Sequence, residues 1–152
     1  MKMNKKGFTL IELLAIIVIL AIIAVITVPI ILNIIDNAKS GAAKDSVIGY
    51  GKAVELAYTQ YQYDTQLNAP VAAVTPTDDG KTVSLTGSGI TGSLVLAVDY
   101  DGEQVKCNGG TLTDGKIKLT GCQVGTDTAT TYIYGKGKAC LTPATDTTTD
   151  CD

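Results

Sequence analysis

Glu12 is the residue whose surroundings most need a chemical explanation. It lies in an apolar stretch from Gly7 to Leu32, and no side chain between Leu13 and Leu32 carries a charge. About 20 apolar residues are enough for a helix to cross a hydrocarbon layer of roughly 30 Å. A charged side chain in such a layer costs about 2.5 kcal/mol or more, so it needs a partner or a proton. The sequence therefore predicts a transmembrane helix over residues 8–32 that carries a functional carboxylate.

A short lysine-rich leader precedes this helix and ends abruptly at Gly7. The segment that carries the leader into the helix reads Lys5-Lys6-Gly7-Phe8-Thr9-Leu10-Ile11-Glu12-Leu13-Leu14. It resembles the N-terminus of type IV pilins and of their relatives, the pseudopilins of type II secretion and the competence pilins. The resemblance implies that residues 1–7 are a class III signal peptide. A prepilin peptidase would cut between Gly7 and Phe8 and methylate Phe8 as the new N-terminal residue.

An ordinary secretory signal peptide is the alternative explanation of this N-terminus. The apolar span is longer than a typical signal core, and no small-residue cleavage site follows it. Removing the leader with Lys2, Lys5 and Lys6 leaves nine lysines against 15 carboxylates, a net charge of −6. Lysines before the span and an acidic domain after it favour a cytoplasmic leader and an external body.

Two roles are open for Glu12. The resemblance implies that its carboxylate pairs with the α-amino group of Phe8 in a neighbouring subunit, which neutralises both charges and sets the register between subunits. The alternative is a protonated Glu12 that is bonded to a carbonyl of its own helix, or one that reaches water near the headgroups. Glu12 lies only four residues from the mature end, so this alternative is reasonable.

The helix is predicted to continue through residues 33–63 as an amphipathic second half. One stripe at helical spacing supports this prediction: Val47, Gly51, Val54, Tyr58 and Tyr61. Pro29 lacks a backbone donor, so we expect a kink there. A helix broken into two pieces near Gly41 is the alternative.

Residues 64–81 are predicted to be a connector, because they contain prolines and an Asp-Asp-Gly turn signal. From residue 82 to residue 139 the apolar period changes to two, which indicates short strands. These segments are Thr82–Thr86, Ser93–Tyr100, Glu103–Cys107, Gly110–Thr113, Lys116–Thr120 and Thr130–Tyr134. We predict an α+β fold in which a small antiparallel sheet of about four strands packs on the long helix. Ser93–Val98 is the most apolar segment and is placed at the centre, whereas the chain from Gly135 is placed in a loop.

Two Asp-Gly pairs predict hairpins, because Asp-Gly suits the positive φ values of a type I′ turn. A turn at Asp101-Gly102 would pair Val98 with Val105 and Leu96 with Cys107. A turn at Asp114-Gly115 would pair Leu112 with Ile117. Asn108-Gly109 offers a third turn that competes with them.

Four cysteines lie in the last third of the chain: Cys107, Cys122, Cys140 and Cys151. An even number on the external side of a membrane favours disulfides, although three pairings are possible and free thiols stay open. Cys107 and Cys122 are symmetric about Asp114-Gly115, which favours a bond between them with a bulge at Asn108-Gly109-Gly110. A turn at those glycines would instead separate the two cysteines. Cys140–Cys151 would close residues 140–152, a loop similar to the C-terminal disulfide loop of many type IV pilins.

Composition excludes several classes of function. Histidine is absent, so neither a Ser-His-Asp nor a Cys-His arrangement can be built, and we expect no enzymatic activity. The cysteines lack metal-ligand spacing, and no cofactor is predicted. Asp99 and Asp101 flank a turn that could hold a cation, but solvated carboxylates are commoner there. Without arginine and with a negative charge, the chain is not expected to bind nucleic acid as a general ligand.

The resemblance implies a structural subunit of a type IV pilus that serves motility, adhesion or DNA uptake. Its partners would be copies of itself, the prepilin peptidase, an assembly ATPase and a membrane platform protein. The precursor would cross the cytoplasmic membrane once with its globular domain outside, and the assembled pilus would be extracellular. One alternative is a minor pilin or a secretion or competence pseudopilin. The other is a membrane-anchored extracellular binding domain that does not polymerise.

Overall fold

The computed structural model describes residues 7–67, 74–77, 79–142 and 151. The expected leader residues 1–6 lie outside this part. The chain divides into two compact units, Met1–Ser40 and Gly41–Asp152. Helix α1 runs from Leu10 to Gln66 without interruption, so the alternative of two helices separated near Gly41 is wrong. The α+β class is confirmed, while the kink at Pro29 stays a prediction.

In the described part, seven strands follow the helix and form one mixed sheet. They are β1 (Thr82–Gly87), β2 (Leu94–Ala97), β3 (Val105–Lys106), β4 (Gly109–Thr113), β5 (Lys116–Val124), β6 (Asp127–Gly135) and β7 (Lys138–Thr142). The order is β2-β1-β4-β5-β6-β7, and β3 also pairs with β5. β1 and β4 are parallel, whereas the other pairs are antiparallel. The predicted antiparallel sheet of about four strands is therefore wrong in both respects.

β2 lies at an edge of the sheet, not at its centre. It pairs with β1 through Val83↔Leu96 and Leu85↔Leu94, so the predicted pairing of Val98 with Val105 and of Leu96 with Cys107 is wrong. Asp101 and Gly102 are absent from the residues with positive φ. A type I′ turn needs positive φ at both of its central residues, and this one therefore does not form.

The second Asp-Gly prediction is confirmed. Asp114 and Gly115 have φ values of 51° and 75°, and Leu112 lies opposite Ile117 across the turn. The same register continues past the glycines into β3, because Gly109 faces Thr120 and Lys106 faces Gln123. No residue is inserted, so neither the predicted bulge at Asn108-Gly109-Gly110 nor a turn there exists.

This continuous register places Cys107 opposite Cys122. The two residues form a disulfide with a Cα–Cα distance of 3.9 Å. Asn108 continues the pairing, because its N–H donates to the carbonyl of Thr120 at 3.1 Å. The second disulfide joins Cys140 to Cys151. Both are the pairs that the sequence favoured.

The sheet also extends beyond the predicted strands. β6 and β7 form a hairpin whose turn is Lys136-Gly137, with φ values of 49° and 76°, and Gly135 faces Lys138 across it. The prediction of a loop from Gly135 onwards is therefore wrong for residues 138–142. The segment after Gly135 is mostly polar, which favoured the loop prediction. The sequence pattern that indicates the hairpin is a two-residue Lys-Gly turn between a Tyr-Ile-Tyr strand and an Ala-Cys-Leu strand.

The second half of α1 packs its apolar stripe against the sheet. Val47, Gly51 and Val54 are buried as predicted, and Tyr58 and Tyr61 lie half-buried at the border of the core. Tyr50 is also fully buried and meets Tyr100 edge to face, with ring centroids 5.7 Å apart. The predicted stripe omitted this tyrosine, although it lies one residue from Gly51 on the same face.

Tyr134 fastens the sheet to the helix. Its ring lies over the backbone of Gly51, and a Cβ at Gly51 would come within 2.5 Å of three ring carbons. Its hydroxyl donates to Glu55 Oε1 at 2.8 Å, one helical turn further along. Glycine is therefore required at residue 51 for close approach and not for an unusual backbone angle.

Gly51→Ala is expected to lower the free energy of unfolding by about 1–3 kcal/mol, because the added methyl overpacks the ring of Tyr134. Gly41→Ala is the matched control. A Cβ there meets nothing within 4 Å, so the better helix propensity of alanine should raise stability by up to about 1 kcal/mol. Denaturant unfolding of the detergent-solubilised chain measures both. Changes of the same sign would contradict this packing.

Alkaline pH is expected to destabilise the globular unit. Burial raises the pKa of Tyr50 to about 12, and burial together with the Glu55 hydrogen bond raises the pKa of Tyr134. An unfolded tyrosine titrates near ~10, so the folded state holds these protons more tightly. The stability they contribute is complete below about pH 10 and is lost as pH rises through the folded pKa. Between pH 8 and pH 11 the denaturation midpoint should fall less in Tyr50→Phe/Tyr134→Phe than in the parent chain, and an equal fall would contradict the assignment.

Candidate functional site

The start of α1 forms a capping box around Glu12. Thr9 precedes the helix, and both its backbone N–H and its hydroxyl donate to Glu12 Oε2, at 2.9 and 2.7 Å. The N–H of Glu12 in turn approaches Thr9 Oγ1 at 3.4 Å. In this reciprocal arrangement two side chains satisfy backbone donors that the first helical turn leaves without partners. Glu12 is thus part of the structure that begins the helix.

The capping box is a third role for Glu12, and the two roles that the sequence analysis left open stay predictions. Glu12 accepts hydrogen bonds here and does not donate one to a carbonyl of its own helix. Both Thr9 bonds use Oε2, and within the described residues Oε1 accepts no hydrogen bond. One carboxylate oxygen is therefore left without a hydrogen-bond donor among the described residues. The spacing Thr-x-x-Glu before an apolar run is the sequence signal that predicts this cap.

The Gly7–Phe8 peptide bond lies outside the helix. Gly7, Phe8 and Thr9 have no regular secondary structure, and all three are exposed. The Phe8 side chain is 84% exposed, and nothing lies within 4 Å of a Cβ built on Gly7. A protease needs an accessible, non-helical bond, and this bond meets both conditions.

The helix that follows presents an apolar surface. It is long enough and apolar enough to cross a membrane by length and composition. Its large hydrophobic side chains are exposed from Phe8 to Ile35. Thr27 adds no unsatisfied donor, because its hydroxyl donates to the carbonyl of Ile23 at 2.9 Å. Glu12 is the one charged side chain on residues 8–35, so any apolar medium around this surface must accommodate that carboxylate.

The other candidate site does not assemble in the described residues. Asp99 and Asp101 are exposed, and within the described ranges no group of three or more His, Cys, Asp or Glu side chains is arranged to hold a metal ion. The possible cation site at this turn therefore has too few ligands in the described part of the chain.

Comparison with known proteins gives one match. Residues 2–28 match the family model of the prokaryotic N-terminal methylation motif. No curated protein and no solved structure matches the chain. The matched segment includes the leader, the Gly7–Phe8 bond, the Thr9–Glu12 cap and most of the apolar helix surface, but none of the sheet. The chain thus begins with the class III signal peptide of type IV pilins.

Proposed function

We propose that this chain is the precursor of a structural subunit of a type IV pilus. A prepilin peptidase cuts after Gly7 and methylates Phe8, and the mature chain polymerises through the apolar half of α1. The methylation motif supports the processing step, as does the exposed, non-helical Gly7–Phe8 bond. The role is structural and needs no catalytic residue and no cofactor.

One observation carries the proposal more than any other. The side chains of α1 expose a continuous apolar surface up to Ile35, and a single carboxylate stands at its beginning. Exposed apolar area is unfavourable in water by about 25 cal/mol per Å². The membrane covers this surface in the precursor, and helices of neighbouring subunits cover it in the filament. The chain therefore moves from the cytoplasmic membrane to an extracellular fibre.

The carboxylate of Glu12 sets the register in which the helices of neighbouring subunits pack. Cleavage creates a positively charged α-amino group on Phe8, four residues before the carboxylate. Among packed helices both charges are costly unless they are paired. Glu12 Oε1 is unused by the capping box, so it can accept the amino group of a neighbouring subunit while Oε2 stays bonded to Thr9. Subunits in the wrong register would leave two charges unpaired in an apolar core.

Further partners follow from the same proposal. An assembly ATPase that acts through a membrane platform protein would drive extraction from the membrane. A minor pilin or a secretion or competence pseudopilin would use the same N-terminus, and its abundance in purified fibres separates it from a major subunit. A membrane-anchored binding domain would keep the helix in lipid and would form no filament.

Mass spectrometry of sheared surface material tests the processing. We expect an abundant N-terminal peptide that begins at N-methylated Phe8. A low amount of the same peptide beside a dominant different subunit indicates a minor pilin. A mature chain that still begins at Met1 and stays in the membrane contradicts the proposal.

Glu12→Ala and Glu12→Gln test the assembly step. Both variants are expected to be cut and to remain in the membrane, because the Gly7–Phe8 bond is unchanged, but to lose most of the sheared filament. Asp36→Asn is the matched control, since it removes an exposed carboxylate from the same helix beyond the apolar surface and should leave filament yield unchanged. Normal filaments from both Glu12 variants would exclude the pairing.

A further inference from the structure

A cleft of about 590 Å³ opens between the second half of α1 and the tips of two hairpins. The helix contributes Glu55, Tyr58 and Gln62, and the hairpins contribute Lys116 and Lys136. We call this the lysine cleft. The two lysines are brought there by the Asp114-Gly115 and Lys136-Gly137 turns, which lie at the same end of the sheet because β5 and β6 are antiparallel.

Lys116 and Lys136 are the two cations of the lysine cleft, and Glu55 is the one carboxylate in its lining. Lys116 and Lys136 are exposed, and neither side chain has a hydrogen bond or an ion pair within the described part of the chain. The carboxylate of Glu55 already accepts the hydroxyl of Tyr134, and Gln62 donates to the hydroxyl of Tyr58 at 2.9 Å. With two ammonium groups against one carboxylate, the lysine cleft keeps a net positive charge for an anionic partner.

The opposite end of the same sheet is acidic. Residues 99–103, which we call the acidic loop, carry three exposed carboxylates: Asp99, Asp101 and Glu103. The acidic loop leads into β3, where Val105 faces Val124 at the end of β5. The N–H of Gly125 donates to the carbonyl of Gln104 at 2.8 Å and holds this end together. The side chain of Tyr100 fixes the acidic loop against the helix at Gly49.

Two further carboxylates strengthen the negative charge at this end. The hydroxyl of Thr77 and the N–H of Lys81 donate to Asp79 and hold the pKa of its carboxyl below the usual range. Hydrogen bonds from Thr130 and the N–H of Ala129 lower the pKa of Asp127. Exposed Lys81 and half-buried Lys106 are the lysines of the described strands at this end, so five carboxylates outnumber two lysines.

The two ends are too far apart to neutralise each other within one chain. β5 runs from Lys116 at the basic end to Val124 at the acidic end, which is about 26 Å at roughly 3.3 Å per residue. Charges at that distance are screened at physiological ionic strength. A second copy in the same orientation, shifted along the sheet, would bring its acidic loop to this lysine cleft.

We propose that the acidic loop of one copy of this chain docks into the lysine cleft of the next copy. The inference rests on the proposed filament function and adds a contact between globular units. The interface is heterologous, because the two surfaces differ, and repeated heterologous contacts generate an open filament. Its charge complementarity selects the head-to-tail order against a copy in the opposite orientation.

Charge reversal tests the contact in the full-length chain in its producing cells. In Lys116→Glu/Lys136→Glu the lysine cleft repels the acidic loop, and the sheared filament yield is expected to fall about tenfold. The matched control is Lys39→Glu/Lys52→Glu, which makes the same change in net charge at exposed lysines of α1 outside both the lysine cleft and the acidic end and should keep the parental yield. Adding Asp99→Lys/Asp101→Lys to the cleft variant should restore filaments.

The restoration separates docking from a folding defect, because the two ends do not touch within one chain. Parental yield from the cleft variant overturns the inference and leaves the proposed function intact. Loss of filaments without restoration also overturns it. If the parent chain itself forms no filament, the proposed function fails first.

Discussion

The apolar surface of α1 is the constraint on which the rest of this protein depends. Side chains from Phe8 to Ile35 remain exposed in the described chain, and water is an unfavourable environment for them. Such a surface requires either lipid or other helices around it. The features at the start of α1 are best understood in terms of that apolar environment.

Thr9 and Glu12 show how local chemistry serves that constraint. A helix end in an apolar medium cannot leave its first N–H groups without acceptors. The capping box supplies an acceptor and at the same time fixes the orientation of the carboxylate, with one oxygen bonded to Thr9 and the other unused. A single residue therefore completes the first helical turn and carries the one charge at the start of the apolar surface.

The globular unit forms a stable core although it contains few large apolar residues. Its core relies on tyrosines, because the chain has no tryptophan and one phenylalanine. Tyr134 and Tyr50 each combine a buried ring with a hydroxyl that reaches an acceptor, Glu55 Oε1 in one case and the carbonyl of Thr82 in the other. The two disulfides add covalent closure to a sheet in which two of the strands have four residues or fewer.

The sequence alone determined those features that depend on residues close together in the chain. The length of the apolar run, the Gly7–Phe8 step, the buried stripe from Val47 to Val54 and the Asp114-Gly115 hairpin all have local physical causes. The hairpin also determines the Cys107–Cys122 pairing, because its register continues for the full length of β5 and places the two cysteines opposite each other. The spacing of Thr9 and Glu12 is also a local feature, and it predicts the capping box at the start of α1.

Only the tertiary structure decided which strands lie side by side. β1 pairs with β4 in parallel across more than 20 residues of intervening chain, and such a choice depends on how the whole sheet covers the helix. The tertiary structure also places β2 at the edge of the sheet, where Leu96 and Leu94 lie opposite Val83 and Leu85 of β1. The opposite charges at the two ends of the sheet have the same origin, since residues that are distant in sequence meet only after those pairings are made.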